Sequence, residues 1–246
     1  MHRFYAEEAC LPADGRVSLS PEDTRHALRV LRLKPEDPAE VFVGGARYAA
    51  ILEEAAGERL TLRVTAPLPS TEPRLKCTLF QGLPKADKME WIVQKAVELG
   101  VSRIVPVRMR RCVVRLEEKD EARKTERWQR IAREAGKQSG RCFPPEVLRP
   151  VSWKELPDLM ADLEVCAVPW EEARESGPLA FLRDHPAPAS LGILIGPEGG
   201  ITPEEIASLP RVCVPVTLGP RILRTETAGL AATAAFLALY GEMEST

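Results

Sequence analysis

The amino-acid sequence predicts an α/β protein of two parts: a small, mostly β module at the N-terminus, then a larger part built on a mainly parallel sheet. Three observations carry this. Short β-prone runs fill the first 66 residues. A proline-rich stretch, Pro67-Leu-Pro-Ser-Thr-Glu-Pro73, then interrupts any regular element, because proline fixes φ and donates no backbone hydrogen bond. From residue 74 onward strand-like and helix-like segments alternate, the pattern of a parallel sheet with crossover helices. A chain of 246 residues accommodates two such domains, placed at 1–70 and 74–246. With 44% hydrophobic and 28% charged residues it has the composition of a soluble globular protein that builds its own core.

Each element has a local reason. Ser20-Pro21-Glu22-Asp23 reads as a helix start, with serine at the N-cap, proline in the first turn and acidic residues beside the helix dipole; the helix should run to about Leu31. Strands follow over 39–43, 47–53 and 59–66, and Gly44-Gly45 between the first two marks a hairpin. In the second part, strands are expected over 75–80, 104–107, 164–168, 191–195 and 212–216. Helices are expected over 85–99, stopped by Gly100, then over 119–138, 153–162, 179–183, 203–208 and 226–240.

Several classes of function fall away. The start, MHRFYAEEAC, has no apolar run of the secretory kind, and the nearly apolar stretch 228–240 is shorter than the roughly 20 residues that cross a bilayer. Six cysteines form no C-x-x-C pair and three histidines are widely spaced, so neither a zinc nor another metal site is expected. Free thiols fit a reducing cytoplasm. The net charge of -2 argues against a nucleic-acid partner until it is resolved along the chain. Residues 1–72 carry 9 basic and 12 acidic side chains, residues 73–150 carry 19 and 10, and residues 151–246 carry 6 and 14. A middle third of +9 lies between segments of -3 and -8, which points to an anionic partner or to a solvated, ion-paired surface.

Two loops stand out. In Leu191-Gly-Ile-Leu-Ile-Gly-Pro-Glu-Gly-Gly-Ile-Thr-Pro-Glu-Glu-Ile206 a buried strand ends in a glycine loop, and a helix then starts at Thr202 with Glu205 completing a capping box. Ligands of open α/β sheets sit at the carboxyl ends of strands, and glycines let backbone approach them; a tight turn has the same look. The spacing is neither a Walker A loop nor a dinucleotide fingerprint. In Val214-Pro-Val-Thr-Leu-Gly-Pro-Arg-Ile-Leu-Arg-Thr-Glu-Thr-Ala228, apolar Leu218, Ile222 and Leu223 occupy an exposed loop and need a cover, either a neighbouring chain or a flat ligand such as adenine. The small-residue helix that follows belongs in a core or in a dimer interface. In the basic third, Arg123, Arg127, Arg130, Glu134 and Lys137 share one helix face opposite Trp128, Ile131 and Ala135. Lys85, Lys88, Trp91 and Lys95 align on the preceding helix, and Arg108-Met-Arg-Arg-Cys-Val-Val-Arg115 lies between the two helices. Such a surface suits a phosphate backbone.

Taken together and in order, His2-Arg-Phe-Tyr5, His26-Ala-Leu-Arg-Val-Leu-Arg32, Lys95-Ala-Val-Glu-Leu-Gly-Val101, Glu126-Arg-Trp128, Gln138-Ser-Gly-Arg141, Ile195-Gly-Pro-Glu-Gly-Gly200 and Leu218-Gly-Pro-Arg-Ile-Leu-Arg-Thr-Glu-Thr-Ala228 resemble the bacterial 16S ribosomal RNA uridine-N3 methyltransferases of the SPOUT (α/β-knot) superfamily. The resemblance spans essentially the whole chain. It implies a PUA-like RNA-binding β-barrel at the N-terminus and a C-terminal SPOUT methyltransferase domain with a trefoil knot. It also implies a homodimer through that domain, S-adenosylmethionine as cofactor, and a uridine in the decoding region of the small ribosomal subunit as substrate. The cofactor residues it implies are Pro169, Leu194, Ile195, Gly196, Gly199, Gly200, Leu218, Gly219, Ile222, Leu223 and Arg224. The RNA contacts expected are Arg3, Arg29, Arg32, Lys88, Arg108, Arg110, Arg111, Arg127, Arg130 and Arg141. Uracil N3 is protonated at neutral pH, so a carboxylate base and a cation that stabilises charge on O2 and O4 are needed; Glu198 and Arg224 are the candidates. Glu198 fixing its own loop and Arg224 pairing with Glu226 are the structural readings of the same residues. A ribose 2′-O methyltransferase of the same superfamily and a non-catalytic ribosome-assembly protein are the alternatives.

Overall fold

The computed structural model describes residues 1–56, 59–114, 116–174 and 176–244; Arg115 of the basic segment lies outside them. These residues divide into two units, one comprising 1–72 with 136–144, the other 73–135 with 145 onward.

The first unit holds β1 (His2–Tyr5), β2 (Arg16–Ser18), α1 (Pro21–Arg25), β3 (Pro38–Val43), β4 (Ala46–Ala56) and β5 (Arg59–Leu68). The strand order is β1-β3-β4-β5-β2. An antiparallel bridge, Ala6 to Leu19, joins the two edges, and Glu7 N–H donates to the Ser18 carbonyl at 3.0 Å, so the sheet closes on itself and leaves little edge to pair elsewhere. Alternate residues of β5, Leu60 and Leu62, turn inward with Phe4, Val17, Leu19, Val41 and Leu52. Ser20 caps α1 as expected, its hydroxyl accepting from Asp23 N–H at 3.1 Å. The helix does not continue as an α-helix to Leu31: it relaxes into a π-helical turn over His26–Val30 that buries Ala27 and leaves Arg29 exposed.

Pro67, read as linker, pairs with Tyr48 inside β5. It is tolerated because β2 covers only Thr61 to Arg63 of that strand, so β5 has an open edge at Pro67 where a missing N–H costs nothing. Segment 136–144, expected in the second domain, packs in the first unit. Gly136 lies under the Tyr5 hydroxyl, where a Cβ would come within 2.4 Å of it. Lys137 Nζ meets Asp23 at 2.7 Å, and the buried Arg141 guanidinium grips Glu72 at 2.7 and 3.0 Å.

The second unit runs β6 (Lys76–Gly82), α2 (Lys88–Leu99), β7 (Arg103–Arg108), α3 (Glu118–Ser139, its last turn counted in the first unit), β8 (Glu146–Val147), β9 (Val151–Ser152), α4 (Leu156–Leu159), β10 (Val165–Pro169), α5 (Pro178–Asp184), β11 (Ser190–Ile195), α6 (Pro203–Ala207), β12 (Cys213–Val216) and α7 (Thr225–Leu239). The strands lie in the order β12-β10-β11-β6-β7-β8, with β9 also on β7, and every pairing is parallel. Neighbouring residues point to opposite faces. Leu79, Ile104, Ala167, Ile193 and Ile195 pack with α2, α3 and α7, while Phe80, Val105, Cys166, Val168 and Leu194 pack with Leu156 and Met160. A sheet buried on both faces explains why its strands read as continuous apolar runs. Gly100 ends α2 at φ 109°, a conformation that favours glycine. At Thr202 the capping box forms, with Glu205 N–H to the threonine hydroxyl at 3.2 Å and Thr202 N–H to Glu205 at 3.0 Å.

Candidate active site

Because all strands of the second unit are parallel, the loops after β6, β7, β10, β11 and β12 gather at one end of the sheet. A cavity of about 990 Å³ opens there between the loops after β10, β11 and β12. Of the expected cofactor residues, Pro169, Ile195, Gly196, Gly199, Gly200, Leu218, Gly219, Ile222, Leu223 and Arg224 line it together with Glu198. Leu194 does not; it is fully buried on the opposite face of the sheet, since period-two alternation turns it away when Ile195 faces the cavity side.

The glycine loop is held tightly. At Gly82, the end of β6, a Cβ would lie 2.6 Å from the Pro197 nitrogen, so the two backbones touch. Gly200 has φ 74°, and a Cβ there would meet the Glu171 carboxylate at 2.5 Å. The buried Gln81 side chain donates to the Thr225 hydroxyl at 2.9 Å, which donates to the Gly196 carbonyl at 2.6 Å, tying the loop to the start of α7. Arg111 Nη1 donates to the Gly199 carbonyl at 2.9 Å from outside the cavity wall. The loop after β12 supplies apolar lining: Leu218 and Leu223 are half-buried and Ile222 is 83% exposed.

Lys88, in the first turn of α2, links Glu198 and Glu226, each at 3.0 Å from Nζ. Glu198 also accepts from the Lys85 backbone N–H at 3.1 Å. Partial burial disfavours the Glu198 carboxylate, but the Lys88 bond and backbone N–H donors outweigh it and hold its pKa below the usual value. Glu226 is lowered in the same way, burial opposed by backbone and Lys88. Lys88 is raised, first by its bond to Glu198 and then by that to Glu226. Glu198 is therefore ionised near neutral pH and anchored to the helix that follows β6.

The expected RNA contacts are more dispersed. In the second unit Arg127 pairs with Glu90 at 2.8 Å, Arg108 with Glu121, and Arg110 with Glu204 at 3.5 Å; Arg130 is exposed. Lys88, expected to face RNA, lines the cavity instead. In the first unit Arg29 and Arg32 are exposed, while Arg3 bonds Glu40 and the Gln138 carbonyl. Arg141 departs from its expected surface role: at 3% exposure it is a buried ion-pair partner of Glu72. Trp170, Glu171, Arg174 and Thr217 line the cavity without having been singled out; their signal was position, just past the ends of β10 and β12. Among the described residues, no group of three or more His, Cys, Asp or Glu is placed to hold a metal, and no helix is long and apolar enough to cross a membrane.

A parallel sheet with a glycine-walled, partly apolar cavity at its carboxyl end defines a nucleotide-type ligand site, and residues 71–237 match the RNA methyltransferase domain family. Over 244 residues the chain is 36% identical to the ribosomal RNA small subunit methyltransferase E of Bacillus subtilis, covering 96% of this chain and 95% of that one. The namesake from Aquifex aeolicus is 31% identical, covering 93% and 95%. The crystal structure of a ribosomal RNA small subunit methyltransferase E from Neisseria gonorrhoeae bound to S-adenosyl methionine superposes with a TM-score of 0.83 at 36% identity over 98% of each chain. The chain belongs to the ribosomal RNA small subunit methyltransferase E family.

Proposed function

We propose that this chain transfers a methyl group from S-adenosylmethionine to N3 of a uridine in the decoding region of 16S ribosomal RNA. The observation that carries the reading is the cavity itself, whose lining fits the cofactor. Gly196 and Gly200 line it with bare backbone, at positions where a Cβ would collide with Ile201 or with the Glu171 carboxylate, and Leu218, Ile222 and Leu223 offer an apolar surface to adenine. When bound, S-adenosylmethionine supplies an electrophilic methyl on a sulfonium, so the protein has only to orient the reactants and manage one proton.

Glu198 is the proposed proton acceptor. Held ionised by Lys88 and the Lys85 N–H, it is in the state a base requires, though its affinity for a proton is lowered. The N3 proton must therefore leave as the N3–methyl bond forms, with Arg224 at the N-cap of α7 stabilising the charge on O2 and O4. RNA is proposed to lie on the exposed arginines of each unit, Arg29 and Arg32 in the first and Arg110, Arg111, Arg127 and Arg130 in the second. A homodimer through α7 is supported by a face that α7 leaves only partly covered, Ala231, Ala234, Ala235 and Ala238, small residues that permit close helix approach. A trefoil path of the last strands and a cytoplasmic location complete the reading.

The test is to incubate the protein with labelled S-adenosylmethionine and small subunits lacking the modification, then identify the nucleoside. Label on uridine N3 supports the proposal. Label on ribose, or RNA binding with no label, overturns it in favour of a ribose methyltransferase or an assembly protein.

A further inference from the structure

We propose that Glu171 is the cofactor-specificity residue of this site: its carboxylate accepts hydrogen bonds from the two ribose hydroxyls of S-adenosylmethionine. The inference rests on the cavity being the S-adenosylmethionine site and adds to that reading a residue and the group it recognises.

Two carboxylates line the cavity, Glu171 and Glu198, and Glu198 is already engaged by Lys88. Glu171 makes no hydrogen bond or ion pair among the described residues, although Arg174 lines the same cavity. An ionised carboxylate is acceptor-only, so its open lone pairs call for O–H or N–H donors.

The turn that carries Glu171 is rigid. The preceding residue, Trp170, donates its backbone N–H to the Val216 carbonyl at 3.0 Å and its indole N–H to the Ile201 carbonyl at 3.2 Å. Ala173 N–H closes the turn on the Trp170 carbonyl at 3.1 Å. The backbone at Glu171 is thereby held between the loops after β12 and β11, and its exposed side chain sets a carboxylate against Gly200.

Strand order identifies the group it meets. β10 lies between β12 and β11. The β12 loop offers the apolar surface for adenine, and the β11 loop carries Glu198, where the reaction is placed. In the cofactor the ribose stands between adenine and sulfonium, so the β10 loop, and Glu171 on it, falls beside the ribose. Two adjacent hydroxyls match the two oxygens of one carboxylate. The cofactor's cationic end has the Glu198 carboxylate on the β11 loop.

The experiment is calorimetric titration of wild type and Glu171→Gln with S-adenosylmethionine, with 5′-methylthioadenosine, and with 2′,3′-dideoxy-5′-methylthioadenosine. Methylthioadenosine keeps the nucleoside but has neither sulfonium nor ammonium. Wild type should bind it roughly tenfold or more tightly than the dideoxy compound, as expected for hydrogen bonds to a charged group, and Glu171→Gln should lose most of that preference. Thermal melting of the variant should match wild type, because Glu171 has no partner within the fold. A variant that weakens S-adenosylmethionine but not methylthioadenosine would mean that Glu171 faces a cationic group, and the proposal fails. Unchanged binding of all three compounds also overturns it. Failure of wild type to bind any of them would instead remove the cofactor reading of the cavity.

Discussion

Gly82→Ala sets a methyl group against the backbone of the glycine loop, and its consequence can be worked from distances. The added Cβ would lie 2.6 Å from the Pro197 nitrogen, 2.8 Å from Pro197 Cδ and 2.9 Å from the Gly196 carbonyl carbon. Ordinary van der Waals contact begins at 3.4 Å, so the loop must retreat by about 0.8 Å in a close-packed interior. Overpacking of this kind costs about 1–3 kcal/mol, or about 2–12 °C in Tm for a chain of this size. The site suffers separately, because groups that bind a ligand must be held within about 0.5 Å of their working positions. Losing one or two backbone hydrogen bonds to S-adenosylmethionine corresponds to a fall in affinity of roughly 5- to 100-fold. Calorimetric titration with the cofactor, paired with thermal melting, measures both effects. Gly241→Ala is the control: its φ of 74° makes alanine strained, yet nothing lies within 4 Å of its Cβ, so Tm should fall while cofactor affinity stays. Wild-type cofactor affinity in Gly82→Ala, or an equal loss in Gly241→Ala, would refute the reasoning.

Arg141→Ala should destabilise the first unit by about 3–5 kcal/mol, because Glu72 loses a buried, doubly hydrogen-bonded partner. Hydrogen exchange of the β1 and β3 amides reads this, and unchanged protection would contradict it. Lys88→Met should move the acid limb of stability upward in pH. The lowered pKa values of Glu198 and Glu226 give stability that is present above the ordinary carboxylate range and lost as pH falls through the lowered values; without Lys88 the loss starts earlier. Coincident melting profiles across the acidic range would rule this out. The double variant Arg127→Ala, Arg130→Ala should weaken binding to a small-subunit RNA fragment and reduce the slope of log affinity against log salt by about 1–2, with cofactor binding retained. An unchanged slope would take α3 out of the RNA surface.

Much of the fold was legible because it is written in local chemistry. Ser20 and Thr202 announce helix starts through side chains that satisfy backbone N–H groups, Gly100 announces a stop, and unbroken apolar runs announce strands buried on both faces. What was not legible depends on distant partners. β8 and β9 have two residues each and exist only because β7 offers its edge. Segment 136–144 follows a helix of the second unit, and distant partners such as the Tyr5 hydroxyl above Gly136 and the acids opposite Lys137 and Arg141 show where it packs. The resemblance implies Leu194 in the cofactor loop, whereas strand alternation turns its side chain to the other face of the sheet.

The basic middle third illustrates the same limit for the site. Counting charges by segment isolates +9 over residues 73–150, but a count cannot say which cations face outward. Lys137 and Arg141 are spent on Asp23 and Glu72, and Arg127 shares its charge with Glu90. In the sequence Lys88 aligns with Lys85 and Lys95 as a cationic stripe, but α2 starts only at Lys88, which belongs to the cavity for a topological reason. α2 begins at the carboxyl end of β6, and in a parallel sheet the first turn of a helix that follows a strand stands among the loops that hold the ligand. A lysine in that turn meets Glu198 and Glu226 before it meets solvent, so its role follows from where its helix starts and not from the sign of its neighbours.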